Sequence, residues 1–147
     1  MPHFTLSHTA QAGPILDMIV GSSAPRILEL QAAGQVVPVP QNIRALLDTG
    51  ASCTCIDPTV LNALGLQPTG NTSISTPSTG ATPVDAYTYD VSIVIPAGNQ
   101  QPLIRAVMSV CASELIPLGY KALLGRDILS VCHVTYNGSD GFFTLAY

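Results

Sequence analysis

The sequence predicts an all-β domain with one or two short helices, on three observations. Two runs alternate apolar and polar residues with the two-residue period of a half-buried strand. They are Tyr87, Tyr89, Val91, Ile93 and Ile95, set against Thr88, Asp90 and Ser92, and then Ile104, Ala106, Met108 and Val110. Glycine, proline and asparagine clusters punctuate the chain at short intervals, as turns between strands do. Finally, 147 residues with 47% hydrophobic and only 10% charged side chains can bury a core within one domain, 1–147.

Taken in order, Ile15 to Val20 is a short apolar run that reads as a strand. The stretch from Ala24 to Pro40 contains Pro25, Gly34, Pro38 and Pro40, and reads as an irregular insertion before the next strand, Ile43 to Leu47. A helix is predicted after Asp57, which suits the N-cap. Pro58 suits the first helical position, and the apolar stripe Val60, Leu61, Leu64 stops at Gly65. Asparagine also caps helices well, so Asp57→Asn is expected to keep most activity. The two alternating runs follow, joined by a turn at Pro96 to Gln101. The chain closes with a hairpin, Cys132 to Tyr136 and Phe142 to Ala146, around Asn137-Gly138-Ser139-Asp140-Gly141.

Charge and cysteine content exclude several functions. The net charge is -4, and the five basic residues, Arg26, Arg44, Arg105, Lys121 and Arg126, form no cluster able to neutralise phosphates, so no nucleic-acid partner is expected. No apolar run reaches membrane-spanning length and the N-terminus lacks the pattern of a secretion signal, which makes a cytoplasmic address the default and a membrane partner unexpected. The four cysteines, Cys53, Cys55, Cys111 and Cys132, read as free thiols in a domain whose core needs no staples. His3, His8 and His133 give no ligand spacing with them, so neither a metal nor any other cofactor is expected.

The chemistry concentrates in Ala45-Leu46-Leu47-Asp48-Thr49-Gly50-Ala51-Ser52. One carboxylate stands on a small-residue turn directly after an apolar strand, where the backbone can hold it against a reaction partner. Gly50 permits close backbone approach, and the hydroxyls of Thr49 and Ser52 are candidates to brace the turn. Downstream, Ala122-Leu123-Leu124-Gly125-Arg126-Asp127-Ile128-Leu129 supplies a second apolar strand that runs into a glycine and a short helical turn.

Together these segments resemble the retropepsin family, the single-lobed aspartic proteases of retroviruses with cellular and bacterial relatives. The resemblance spans roughly Pro14 to Tyr147, and the C-terminal hairpin is more similar to the bacterial and DNA-damage-inducible-type members. It implies a single-lobe β-barrel working as a homodimer, with Asp48, Thr49 and Gly50 catalytic. It further implies that Ala51, Ser52, Gly125, Arg126 and Asp127 support them. Proteolysis of this kind needs two carboxylates facing one water, and this chain has one Asp-Thr-Gly. The second is therefore expected from Asp48 of another subunit across a two-fold axis. A carboxylate pair about 3 Å apart shares one proton and titrates as a unit. Asp57 is read as a helix cap rather than a second acid.

The resemblance also implies a substrate-covering flap over Ser73 to Val84, with Thr76, Pro77, Ser78, Thr79, Gly80 and Ala81 at its tip and a peptide or protein as substrate. An ordinary surface loop is the alternative there. The usual acidic partner of the arginine after the glycine is replaced by Ser52, which leaves an ion pair of Arg126 with Asp127 or a neighbouring acid as the plain expectation. An aspartic endopeptidase is the first reading of function. A catalytically silent peptide-binding or dimerisation module on the same fold is the second. The third, a Ser or Cys hydrolase, lacks a Gly-x-Ser-x-Gly elbow, and adjacent Cys132 and His133 on a strand face opposite ways.

Overall fold

A computed structural model of the chain describes residues 1–75, 80 and 82–147. The strands are β1 (His3–Ser7), β2 (Ile15–Ser22), β3 (Gln41–Leu47), β4 (Cys55–Ile56), β5 (Gly70–Ile74), β6 (Val84–Ala97), β7 (Gln100–Ala112), β8 (Ala122–Leu124), β9 (His133–Asn137) and β10 (Phe142–Ala146). Helices α1 (Ala24–Ala32), α2 (Pro58–Ala63) and α3 (Arg126–Leu129) and a 3-10 turn at Ile116–Leu118 complete the described elements.

Seven strands run in the order β2-β3-β8-β4-β7-β6-β5, and an added antiparallel pairing of β2 with β6 closes six of them into a barrel. Closure removes the unpaired edges that an open sheet would expose. β5 lies outside the ring, hydrogen-bonded to β6 as an antiparallel hairpin arm with Ser73 opposite Asp85 and Ile74 opposite Val84. A separate sheet, β1-β10-β9, covers one end and sends Phe143 and Leu145 into the barrel core.

Strand alternation fills that core as the sequence pattern requires. Leu16, Met18 and Val20 of β2, Ile43, Ala45 and Leu47 of β3, and Val91, Ile93 and Ile95 of β6 are all no more than 7% exposed. Each large member contributes roughly 1.5–3 kcal/mol by leaving water. Truncation at fully buried Leu124, the last residue of β8, should cost about 2–5 kcal/mol because the neighbours collapse only partly into the void.

The all-β class with few short helices is observed, and the hairpin β9–β10 matches its prediction closely. The segment 24–40 needs correction. Ala24–Ala32 is a helix rather than irregular chain, with Ser23 at the N-cap position and Pro25 in the first turn, where its missing N–H is harmless. Gly34 then ends it at φ 66°, with Gly34 N–H donating to Gln31 and Gln35 N–H to Leu30. The residues read as breakers are the punctuation of a helix. The same arrangement ends α2 at Gly65, as anticipated.

Candidate active site

β3 carries Asp48 to its place. In the barrel β3 pairs in parallel with β8, Leu47 opposite Leu124, and the ladder continues one step further as Asp48 N–H donates to the Leu124 carbonyl at 3.0 Å. The chain then turns tightly. Gly50 N–H donates to Asp48 Oδ1 at 2.8 Å, and Ala51 N–H donates to the Asp48 carbonyl at 3.2 Å. A side chain on Gly50 would stand 3.1 Å from that carboxylate oxygen. Asp48 is half-buried, whereas Thr49 and Gly50 are exposed. Among the described residues the hydrogen bond to its carboxylate is the one from Gly50.

The structure brings the two predicted segments together. Arg126 N–H donates to the Ala51 carbonyl at 2.9 Å, and Arg126 Nη1 donates to the carbonyls of Thr49 (2.8 Å) and Gly50 (3.0 Å). The guanidinium thus braces the turn through backbone oxygens. The expected ion pair with Asp127 does not form, because Asp127 is bonded elsewhere. Among the described residues the salt bridge present is Arg26 with Glu29, on the surface of α1.

Asp127 is held by a residue that the sequence reading missed. Thr54, fully buried, donates its N–H to Asp127 Oδ2 and its hydroxyl to Oδ1, each at 2.7 Å, and accepts the Gly125 N–H on that hydroxyl at 3.1 Å. The hydroxyl that ties the loop to Gly125, just after β8, is therefore that of Thr54. Glycine is required at 125 by contact rather than by backbone angle. A Cβ there would lie 2.5 Å from the Cys53 carbonyl carbon and 2.9 Å from the Thr54 nitrogen.

A small apolar cluster flanks the turn: Cys55, Ala86, Cys111 and Leu115 are buried, with Cys53, Ile74, Tyr120 and Leu123 packed against them. It joins the loop after Asp48 to the arms of the β5–β6 hairpin. Burial and the Asp48 carboxylate together raise the Tyr120 phenol above its ordinary value, so this ring sits within the field of the acid. No sequence signal marked Tyr120, since its proximity arises from tertiary packing.

Of the flap residues, Gly80 is in a turn at φ 61°, where a Cβ would be strained. Thr76, Pro77, Ser78, Thr79 and Ala81 lie outside the described residues. Asp57, by contrast, is at the N-cap of α2 and 3% exposed. Its Oδ1 accepts from Thr59 N–H and hydroxyl, and its Oδ2 from Leu115 and Ile116 N–H. Burial favours its neutral form, yet these bonds outweigh burial and hold its pKa below the ordinary carboxylate value.

Residues 32–101 match the family model described as aspartyl protease, a span that holds the Asp48 turn and α2 but ends before Gly125. No curated protein gives a significant sequence match. Among solved structures, the chain is similar to a retropepsin-like aspartic protease from Rickettsia conorii, at 16% identity and a TM-score of 0.60, over 99% of this chain and 90% of that one. At that identity the likeness is one of fold.

Proposed function

We propose that the chain is a retropepsin-like aspartic protease, a reading supported by the aspartyl-protease family match over residues 32–101 and the retropepsin-like fold, and that it is an endopeptidase whose active site joins Asp48 of two subunits. The observation that carries the reading is the Asp48 turn. It has a half-buried carboxylate with one protein hydrogen bond among the described residues, on a backbone fixed by β8 and Arg126. Such a group is positioned without being neutralised by neighbours, and it retains accepting capacity for a water.

Peptide hydrolysis needs a base for the water and an acid for the scissile carbonyl. Two Asp48 carboxylates related by a two-fold axis, sharing one proton, supply both. One takes a proton as the water attacks the carbonyl carbon, and the other protonates the carbonyl oxygen. The resulting tetrahedral species collapses as a proton passes to the leaving amine. Thr49, Gly50 and Ala51 hold each carboxylate in its half of the pair; Arg126 and Asp127 hold the turn. The β5–β6 hairpin is the candidate cover, and the apolar cluster with Tyr120 and Leu123 offers a surface to substrate side chains. An activity that is bell-shaped in pH follows, with its optimum on the acid side of neutrality.

The test is incubation of the protein with a peptide library over a range of pH, with cleavage sites mapped by mass spectrometry. Peptides bound but never cut would replace the protease reading with that of a binding module. The shared site is tested by titrating Asp48→Asn chains into a fixed amount of wild type, after subunit exchange has been verified. The initial rate should fall as heterodimers form, and specific activity should fall on dilution. A rate indifferent to both would place a complete site within one chain.

A further inference from the structure

We propose that Cys53 and Cys111 are a redox-modification site, a thiol pair that closes to a disulfide under a peroxide and reopens under a thiol reductant. The site is independent of the catalytic reading, because no step of peptide hydrolysis uses either sulfur.

The geometry is that of a pair one rotation short of a bond. The two Sγ atoms are 3.1 Å apart although 58 residues separate them in sequence. A disulfide needs about 2.05 Å, so closure asks for a movement of roughly 1 Å. Backbone contacts hold both residues in place: Cys111 N–H donates to the Thr54 carbonyl at 3.0 Å, and Gly125 packs directly on the Cys53 carbonyl. Cys55 is opposite Cys111 in the β4–β7 pairing and lies beside both sulfurs, with its thiol donating to the Cys53 carbonyl at 3.8 Å. Among the described residues no group of three His, Cys, Asp or Glu has metal-ligand geometry, which favours a thiol pair over a ligand set.

The two sulfurs differ in exposure, and exposure decides which of them meets the peroxide first. Cys111 is buried, and burial together with the neighbouring Cys53 pushes its thiol up to about 12. Cys53 is half-buried and reachable. Cys53 therefore attacks the peroxide oxygen as thiolate, giving a sulfenic acid and releasing hydroxide, which takes up a proton as water. The Cys111 sulfur then displaces hydroxide from the sulfenic sulfur; its thiol proton leaves with that hydroxide as a second water. Two thiols are oxidised by two electrons in all, and one peroxide is reduced. A reducing thiol attacks Cys53, and a second thiol releases it, with the reductant leaving as its own disulfide.

Trypsin resolves the outcome, because Cys53 and Cys55 share the peptide 45–105 whereas Cys111 lies in 106–121 and Cys132 beyond it. Dilute hydrogen peroxide should remove half of the four thiols, lower the intact mass by two hydrogens, and join 45–105 to 106–121. Dithiothreitol should reverse all three changes. Cys53→Ser, at a half-buried position that tolerates the change, should abolish the linkage; Cys55→Ser and Cys132→Ser should retain it. The proposal is overturned if the linked peptide persists in Cys53→Ser, which would assign it to Cys55. It is equally overturned if the wild type yields only over-oxidised single cysteines or chains joined through Cys132.

Discussion

Asp48 and Asp57 are nine residues apart, at the two ends of the stretch that leads from β3 to α2, and the structure treats them in opposite ways. Asp57 is buried and takes four hydrogen bonds shared over both its oxygens, so it stays ionised and has no capacity left for a substrate. Asp48 is half-buried and takes one, from Gly50, while its backbone N–H is held by Leu124 and its carbonyl by Ala51. The difference separates a carboxylate that holds structure together from one that structure holds ready. Helix α2 and the loop after β7 depend on the former; the proposed chemistry depends on the latter.

Substitution should break that contrast in two directions. Asp48→Asn keeps the size and the Gly50 contact yet can neither accept a proton nor share one, so cleavage should fall by about 10²–10⁴-fold or more with the melting temperature nearly unchanged. A peptide-cleavage assay beside a thermal melt reads both. Gly125→Ala should be the most damaging change to the scaffold, since its Cβ meets backbone that cannot step aside. A loss of roughly 1–3 kcal/mol or more is expected, with activity falling as the turn is displaced. Chemical denaturation measures it.

Asp57→Asn should do the reverse of Asp48→Asn. One amide oxygen can still cap α2, but the amide NH2 would then face the Leu115 and Ile116 N–H groups, and unmet donors cost about 1–3 kcal/mol. That stability cost is invisible to capping alone, because it arises at the loop after β7. Cleavage per folded molecule should be largely kept. A subtler effect sharpens the comparison further. The pKa of Asp57 is lowered in the folded state from its ordinary 3.8, so its stabilisation is complete above that value and lost as pH falls through the lowered one. The gap in melting temperature between wild type and Asp57→Asn should therefore hold above about pH 5 and shrink as pH falls below about 4. A gap that widened on acidification would contradict this account.

The contrast also marks where sequence stops being legible. Asp48 and the cap at Asp57 were readable because their signals are local: an apolar strand running into Asp-Thr-Gly, and Asp-Pro ahead of an apolar stripe. The class of fold was readable from alternation in β6 and β7. Helix α1 was misread because its proline and glycine were weighed as breakers without regard to their positions at its two ends. β1 and β5 escaped because they are short and largely exposed, with little apolar rhythm to betray them. Thr54, Tyr120 and the true partners of Arg126 lie beyond any local signal, since each is defined by a strand that arrives some seventy residues later or earlier in the chain.

That separation has a consequence for how the protein comes into being on the ribosome. The turn around Asp48 is braced by bonds that span 71 to 77 residues, from Thr54 to Gly125 and from Thr49 to Arg126. A nascent chain that has emerged through β7 holds the acid yet lacks the strand and guanidinium that position it. Such long-range closure forms late and slowly, because loop entropy is spent before the contacts are gained. On the proposed protease reading, a chain that needs its last third in place to order the acid would be inert throughout its own synthesis, when the unfolded chains around it are most easily cut.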